Sequence, residues 1–178
     1  MSLLSDLRAK QALYSQDGPP CSLLRAVATD GTLANALFRL QAWLARWHLA
    51  PLAWVPHTLN KLLHGCVIGV RAQFGPGLVL IHPVGVVINS AVRGGRNVWI
   101  ESGVVIGANR GRSPRLGDDI FIGSGAKIVG GVTVGSGARV GANAVVLHDV
   151  AAGDTVVGIP AKPLRRRESD PNRSGTDR

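Results

Sequence analysis

Residues 116–146 read LGDDIFIGSGAKIVGGVTVGSGARVGANAVV, and a large aliphatic residue returns at every sixth position: Leu116, Ile122, Ile128, Val134, Val140 and Val146. Glycine follows four of them, as Gly117, Gly123, Gly135 and Gly141. Four positions after each aliphatic residue comes a small or β-branched one: Ile120, Ala126, Val132, Ala138, Ala144 and Val150. Counting backwards, the step continues through Ile106, Ile100, Gly94 and Ile88, then through Leu80, Phe74 and Ile68. Two extra residues enter between Leu80 and Ile88, and four between Ile106 and Leu116. A period of six is neither the 3.6 of a helix nor the 2 of a plain strand. It suits short strands joined by tight turns, each strand pointing one large and one small residue inward, with glycine taking turn angles that a side chain would forbid. Stacked at roughly 4.8 Å per coil, such strands bury a face that no repeat buries alone. The expected architecture is mainly β, a parallel β-helix.

The rest of the 178-residue chain is different in kind. Five of the eight aromatic residues (Tyr14, Phe38, Trp43, Trp47 and Trp54) precede residue 55, whereas twenty of the 23 glycines lie between Gly65 and Gly158. This composition shift splits the chain near residue 65. Leu33, Leu37, Leu40, Leu44 and Trp47 step at three and four from Thr32, which predicts a helix stopped by Pro51. Thr58 to His64 predicts a short helix closed by Gly65, and residues 3–14 and 22–28 are weaker helical segments. The expected organisation is a helical cap over 1–65, a β-helix over 66–163 and a disordered basic tail over 164–178, where Asp170 to Arg178 contain nothing apolar. The leucine stripe is expected to dock the cap on the β-helix or on a neighbouring subunit. Weak association of this tryptophan-bearing, acid-free helix with a membrane surface is the alternative.

A net charge of +9 invites a polyanionic partner. The basic residues are spread along the chain without recognition-helix or zinc-finger spacing, so no nucleic acid is expected. Cys21 and Cys66 make neither a disulfide framework nor a metal knuckle. The first residues lack a basic n-region and an apolar h-region, and Leu33 to Leu63 is broken by Arg39, Arg46, Pro51, Pro56 and Lys61. The expected location is cytoplasmic.

Three segments narrow the reading: IHPVGVVI at 81–88, LGDDIFIGSGAKI at 116–128 and TVVGIPAK at 155–162. They resemble the hexapeptide-repeat acyltransferases, and among these the serine acetyltransferases and related polysaccharide-cluster acetyltransferases. The resemblance covers about residues 66–163. It implies a left-handed β-helix, acetyl transfer from acetyl-CoA (a co-substrate, with no tightly bound cofactor and no metal) to a small hydroxyl acceptor, and a homotrimer with sites between subunits. It makes His82 the general base. A hydroxyl is a poor nucleophile at neutral pH, and an imidazole can take its proton as it attacks the thioester.

With three hexads to a coil, His82, Ser102, Ser124 and Ala142 form one column, a ladder of small residues suited to an extended pantetheine arm. The resemblance places Ser124 and Ala142 on CoA, and Ala108 is expected on the same side. Arg139, Lys127 and Lys162 are expected near the CoA phosphates. The inserted loop 107–115 brings Asn109, Arg112 and Ser113 as acceptor ligands, Arg112 matching a family arginine for an acceptor carboxylate and Ser113 replacing a histidine. The family's aspartate fifteen residues before the histidine is Val67 here, so Glu101, one coil along from Ile81, is the expected orienting acid. Missing that aspartate, the chain is expected to favour a sugar or polysaccharide hydroxyl over serine. Zinc carbonic anhydrases share such β-helices but need three histidines, and only His82 and His148 lie here. A non-catalytic scaffold or polyanion-binding module is the alternative.

Overall fold

The computed structural model describes residues 3–16 and 20–164. The chain beyond Cys66 winds as a triangular β-helix, of the left-handed hexapeptide-repeat class. The first face stacks Val67–Ile68, Val87–Ile88, Val105–Gly107, Lys127–Val129 and Val145–Val146, all parallel. The second stacks Gln73–Phe74, Arg93–Gly94, Arg115–Leu116 and Thr133–Val134. The third stacks Val79–Leu80, Val98–Ile100, Ile120–Ile122, Arg139–Val140 and Thr155–Val157, and Lys162–Pro163 folds back antiparallel on the last of these. The hexad residues fall in register: Leu80 pairs with Ile100, Ile100 with Ile122 and Ile122 with Val140. They and the small partners Ala126, Ala138 and Ala144 form one continuous buried core. The one glycine in a hexad position, Gly94, has a steric cause. A Cβ there would lie 2.3 Å from Cδ1 of Phe74, whose ring fills the space of both residues.

Four helices precede the coils: α1 (Leu3–Tyr14), α2 (Leu23–Ala28), α3 (Thr32–Arg46) and α4 (Ala50–His64). The last is twice as long as the sequence implied. Pro51 stands in its first turn, where no N–H is needed, so it begins the helix instead of merely ending the one before. Among the described residues no helix is long and apolar enough to cross a membrane. The tail from Arg165 onward lies outside the described residues.

The docking face of α3 is a second correction. Ala34, Asn35, Phe38, Arg39 and Gln41 are buried, while Leu33, Leu40 and Trp47 of the expected stripe are exposed. The open edge of the first coil explains this. Its backbone groups have no preceding strand and must find partners elsewhere. Arg39 donates to the carbonyls of Phe74 (2.9 Å) and Gly75 (2.7 Å), Asn35 to Leu78 (2.9 Å) and Gln41 to Ile68 (3.0 Å). Asp6 of α1 accepts from the N–H groups of Gly77 and Leu78 and from Arg39 Nε at 2.6 Å. Hydrogen-bond demand, more than apolarity, chose which face turned inward.

Candidate active site

His82 lies in the turn 81–86 that carries the two-residue insertion and links the third face to the first. Its backbone is left-handed (φ 49) and its side chain is exposed. The coil ladder passes it by. Gly103 donates to the Val84 carbonyl, Gly125 to Ser102 and Asn143 to Ser124. Val84, Ser102, Ser124 and Ala142 are therefore the rungs, and the insertion lifts His82 out of the column that the hexad count assigned to it.

The acid beside His82 is Asp30, its Oδ2 lying 3.1 Å from Nδ1 across a sequence separation of 52. Asp30 lies in the α2–α3 connection, and two features place it. Gly31, at φ 83, packs so closely on the third face that a Cβ would meet the Leu80 carbonyl at 2.0 Å. Lys10 of α1 donates to the carbonyls of Thr29 and Asp30 and to the Thr32 hydroxyl. Burial pushes Lys10 down to about 8, against the opposing pull of Asp30 and Cys21. Glu101 does not have the expected role of orienting His82. Its carboxylate accepts from the N–H and the hydroxyl of Ser124, one coil on.

Glu101 and His82 both line a cleft of about 540 Å³ between the cap and the third face. Trp99, Phe121 and Arg139 stand in register on the outer side of that face, and Tyr14 and Arg25 close the cleft from α1 and α2. The Arg139 guanidinium sits 4.6 Å from the Phe121 ring centroid. Burial, with Asp30 and Cys21 nearby, raises the Tyr14 phenol above its ordinary value, so it remains a neutral donor. None of Asp30, Tyr14, Trp99 or Phe121 was singled out from the sequence. The aromatic pair was detectable, since both residues occupy outward positions between two hexad aliphatics.

The remaining sequence candidates divide by edge of the prism. Lys127 lies on the His82 edge, with Nζ donating to the Gly125 carbonyl at 2.7 Å and Gly103 at 3.4 Å. Ala108, Asn109, Arg112 and Ser113 lie on another edge, between the first and second faces. There Asn109 and Arg112 exchange backbone hydrogen bonds of 2.9 and 3.0 Å, and Ser113 donates to Asn89 at 3.1 Å. Lys162 stands apart near Val157 and Leu164 at the last coil. Within one chain, His82 thus shares its cleft with Glu101 and Arg139 but not with the inserted loop.

Comparison with known proteins matches this architecture. The family "Bacterial transferase hexapeptide (six repeats)" matches residues 113–148. A serine acetyltransferase of Helicobacter pylori (strain J99) is 37% identical over 138 residues, covering 75% of this chain and 77% of the relative. One of Synechococcus elongatus is 34% identical over 140 residues, or 76% of this chain, which spans only 57% of that relative. The crystal structure of serine acetyltransferase in complex with coenzyme A from Brucella abortus superposes with a TM-score of 0.83 at 29% identity, covering 91% of this chain and 66% of that one.

Proposed function

The chain belongs to the serine acetyltransferase family of hexapeptide-repeat acyltransferases, and from that premise we propose that it transfers acetyl from acetyl-CoA to a hydroxyl, with His82 as general base. The observation that carries this reading is His82 at the mouth of the cleft, paired with Asp30 and beside the ladder of Ser102, Ser124 and Ala142. Nδ1–H donates to Asp30, which leaves Nε2 unprotonated and free to accept. As Nε2 removes the acceptor's proton, the acceptor oxygen bonds to the thioester carbonyl carbon. The carbon–sulfur bond then breaks, and the imidazolium returns the proton to the departing thiolate. The products are an O-acetyl ester and free CoA. Small side chains on the ladder leave room for the pantetheine arm, and Lys127 and Arg139 flank that path as cations for its phosphates.

The cleft favours an acceptor larger than an amino acid. Its volume is in the range that holds drug-sized ligands. Trp99 and Phe121 offer aromatic surface to the C–H side of a sugar, and Glu101 and Tyr14 offer polar groups to its hydroxyls. A sugar hydroxyl is the acceptor this geometry supports best. Serine is the second reading, favoured by the relatives and by Asp30, which provides beside His82 the carboxylate that Val67 does not. Within one chain the Arg112 loop lies on another edge from His82, and this reading takes the loop from a neighbouring copy in a homotrimer.

The test is thiol release from acetyl-CoA with serine, homoserine, simple sugars and polysaccharide repeat units as acceptors. Fastest release with a sugar is expected. A serine specificity constant above about 10⁴ M⁻¹s⁻¹, ordinary for an enzyme on its own substrate, would assign the site to serine. CoA neither bound nor released with any acceptor would leave a scaffold.

A further inference from the structure

We propose that the outer face of the α3/α4 hairpin docks on an anionic bilayer surface. The two antiparallel helices, 15 residues each, present a face about 22 Å long. Leu40, Trp43 and Trp47 of α3 and Leu52, Val55 and Leu62 of α4 are all exposed there, Trp47 by 64% and Leu62 by 73%. Isolated surface leucines need no explanation, but six large apolar residues exposed on one helical hairpin mark an interaction site. The same helices dock on the β-helix through the opposite, partly polar face, so nothing in the fold requires the outer one to be apolar.

Charge identifies the occupant. Residues 31–100 contain no Asp or Glu, so neither helix carries a carboxylate. Arg46, one turn from Trp43, lines with Arg71 and Arg93 a cleft of about 680 Å³ between α3 and the first coils. None of the three makes an ion pair among the described residues. Lys61 adds a further exposed cation on α4. Apolar residues with interfacial tryptophans beside arginines that have no acidic partner, Arg93 donating only to backbone carbonyls, match the boundary between acyl chains and anionic headgroups. Self-association suits the face poorly. A contact between two such hairpins brings basic residues together with no carboxylate on either hairpin to pair them. Among the described residues no helix is long and apolar enough to cross a membrane, and the contact proposed is a peripheral one. It holds the enzyme at the surface without entering the cleft at His82.

The test is flotation of the full chain with vesicles of phosphatidylcholine containing about one third phosphatidylglycerol, beside pure phosphatidylcholine vesicles. Light scattering of the protein alone is run in parallel. Binding to the anionic vesicles is expected, weakened when salt rises from about 0.1 M to about 1 M and the screening length falls from about 10 Å to about 3 Å. Trp43→Ser with Trp47→Ser is expected to lower partitioning by about tenfold or more, and Arg71→Gln with Arg93→Gln to flatten the salt dependence. Both variants keep the wild-type circular dichroism, oligomeric mass and thiol release with a soluble acceptor. Equal binding to both vesicle types, binding unchanged in the tryptophan variant, or no binding at all would overturn the proposal. So would a loss of oligomeric mass in the tryptophan variant, which would make the face a contact between copies.

Discussion

Replacing Asp30 with Ala tests whether the carboxylate found beside His82 positions the base, and its exposure sets the size of the effect. In the His82–Asp30 pair the imidazole side chain is 63% exposed and the carboxylate 75%. Solvent-exposed pairs are worth about 0.2–1 kcal/mol, far below the several kcal/mol lost when a buried pair is broken. At a factor of ten per 1.36 kcal/mol, Asp30→Ala is expected to slow turnover by about 1.5-fold to fivefold. His82→Ala removes the base itself and is expected to cost roughly two to four decades. Asp30→Asn retains an oxygen that accepts from Nδ1–H, so it should lie between wild type and Asp30→Ala. The assay is thiol release from acetyl-CoA at saturating acceptor, read as kcat, with the KM for acetyl-CoA unchanged. In the double variant Asp30→Ala/His82→Ala, the Asp30 effect should vanish, because the carboxylate acts only through the imidazole. A hundredfold loss from Asp30→Ala alone, or an undiminished Asp30 effect without His82, would refute the reasoning from exposure.

Asp6→Ala is expected to destabilise the fold by about 3–5 kcal/mol in urea unfolding, because it strands the buried Arg39 guanidinium and the N–H groups of Gly77 and Leu78. A loss below about 1 kcal/mol would show that water replaces the carboxylate. Burial sets Lys10 near 8 in the folded chain, so from there up to its ordinary value the unfolded chain holds the extra proton and stability rises with pH. The unfolding free energy of wild type should therefore gain on that of Lys10→Met across that window, and a flat or falling difference would contradict the assignment. Gly94→Ala, whose Cβ meets the Phe74 ring, is expected to cost about 1–3 kcal/mol. Phe74→Leu should make the change milder, and additive effects in the double-mutant cycle would rule out the contact.

The β-helix was legible because every hexad states the same local demand. Leu80, Ile100, Ile122 and Val140 pair in register just as the six-residue count stacks them. His82 was legible through the resemblance of its segment IHPVGVVI, while the hexad count put it in the ladder column, out of which the two-residue insertion lifts it. The helical cap was legible as helices that dock, but not in the face through which they dock. A leucine stripe normally predicts the buried face, and here Asn35, Arg39 and Gln41 were drawn inward by carbonyls on a coil edge that sequence periodicity does not display. Asp30 was hidden by distance: only the Lys10 contacts and the tight packing of Gly31 on Leu80 bring it to His82. Glu101 was placed in the right cleft but given the wrong partner, because a carboxylate one coil away also reaches the Ser124 turn above it.

The polar contacts of Asp6, Arg39 and Gln41 with the first coil also make the cap a chain terminator in the polymer sense. A parallel coil stack has no inherent length, and each end offers a template on which another coil or another molecule could grow. At the far end, the antiparallel return of Lys162–Pro163 covers part of the edge of Thr155–Val157. At the near end, Asn35, Arg39 and Gln41 of α3 and His57 of α4 occupy carbonyls that an incoming strand would need, and Asp6 of α1 takes the N–H groups of Gly77 and Leu78. Removing the cap would therefore do more than loosen a domain. It would leave a growing end, and the material that accumulates should be fibrous, built by end-to-end addition of folded coils and not by collapse of unfolded ones.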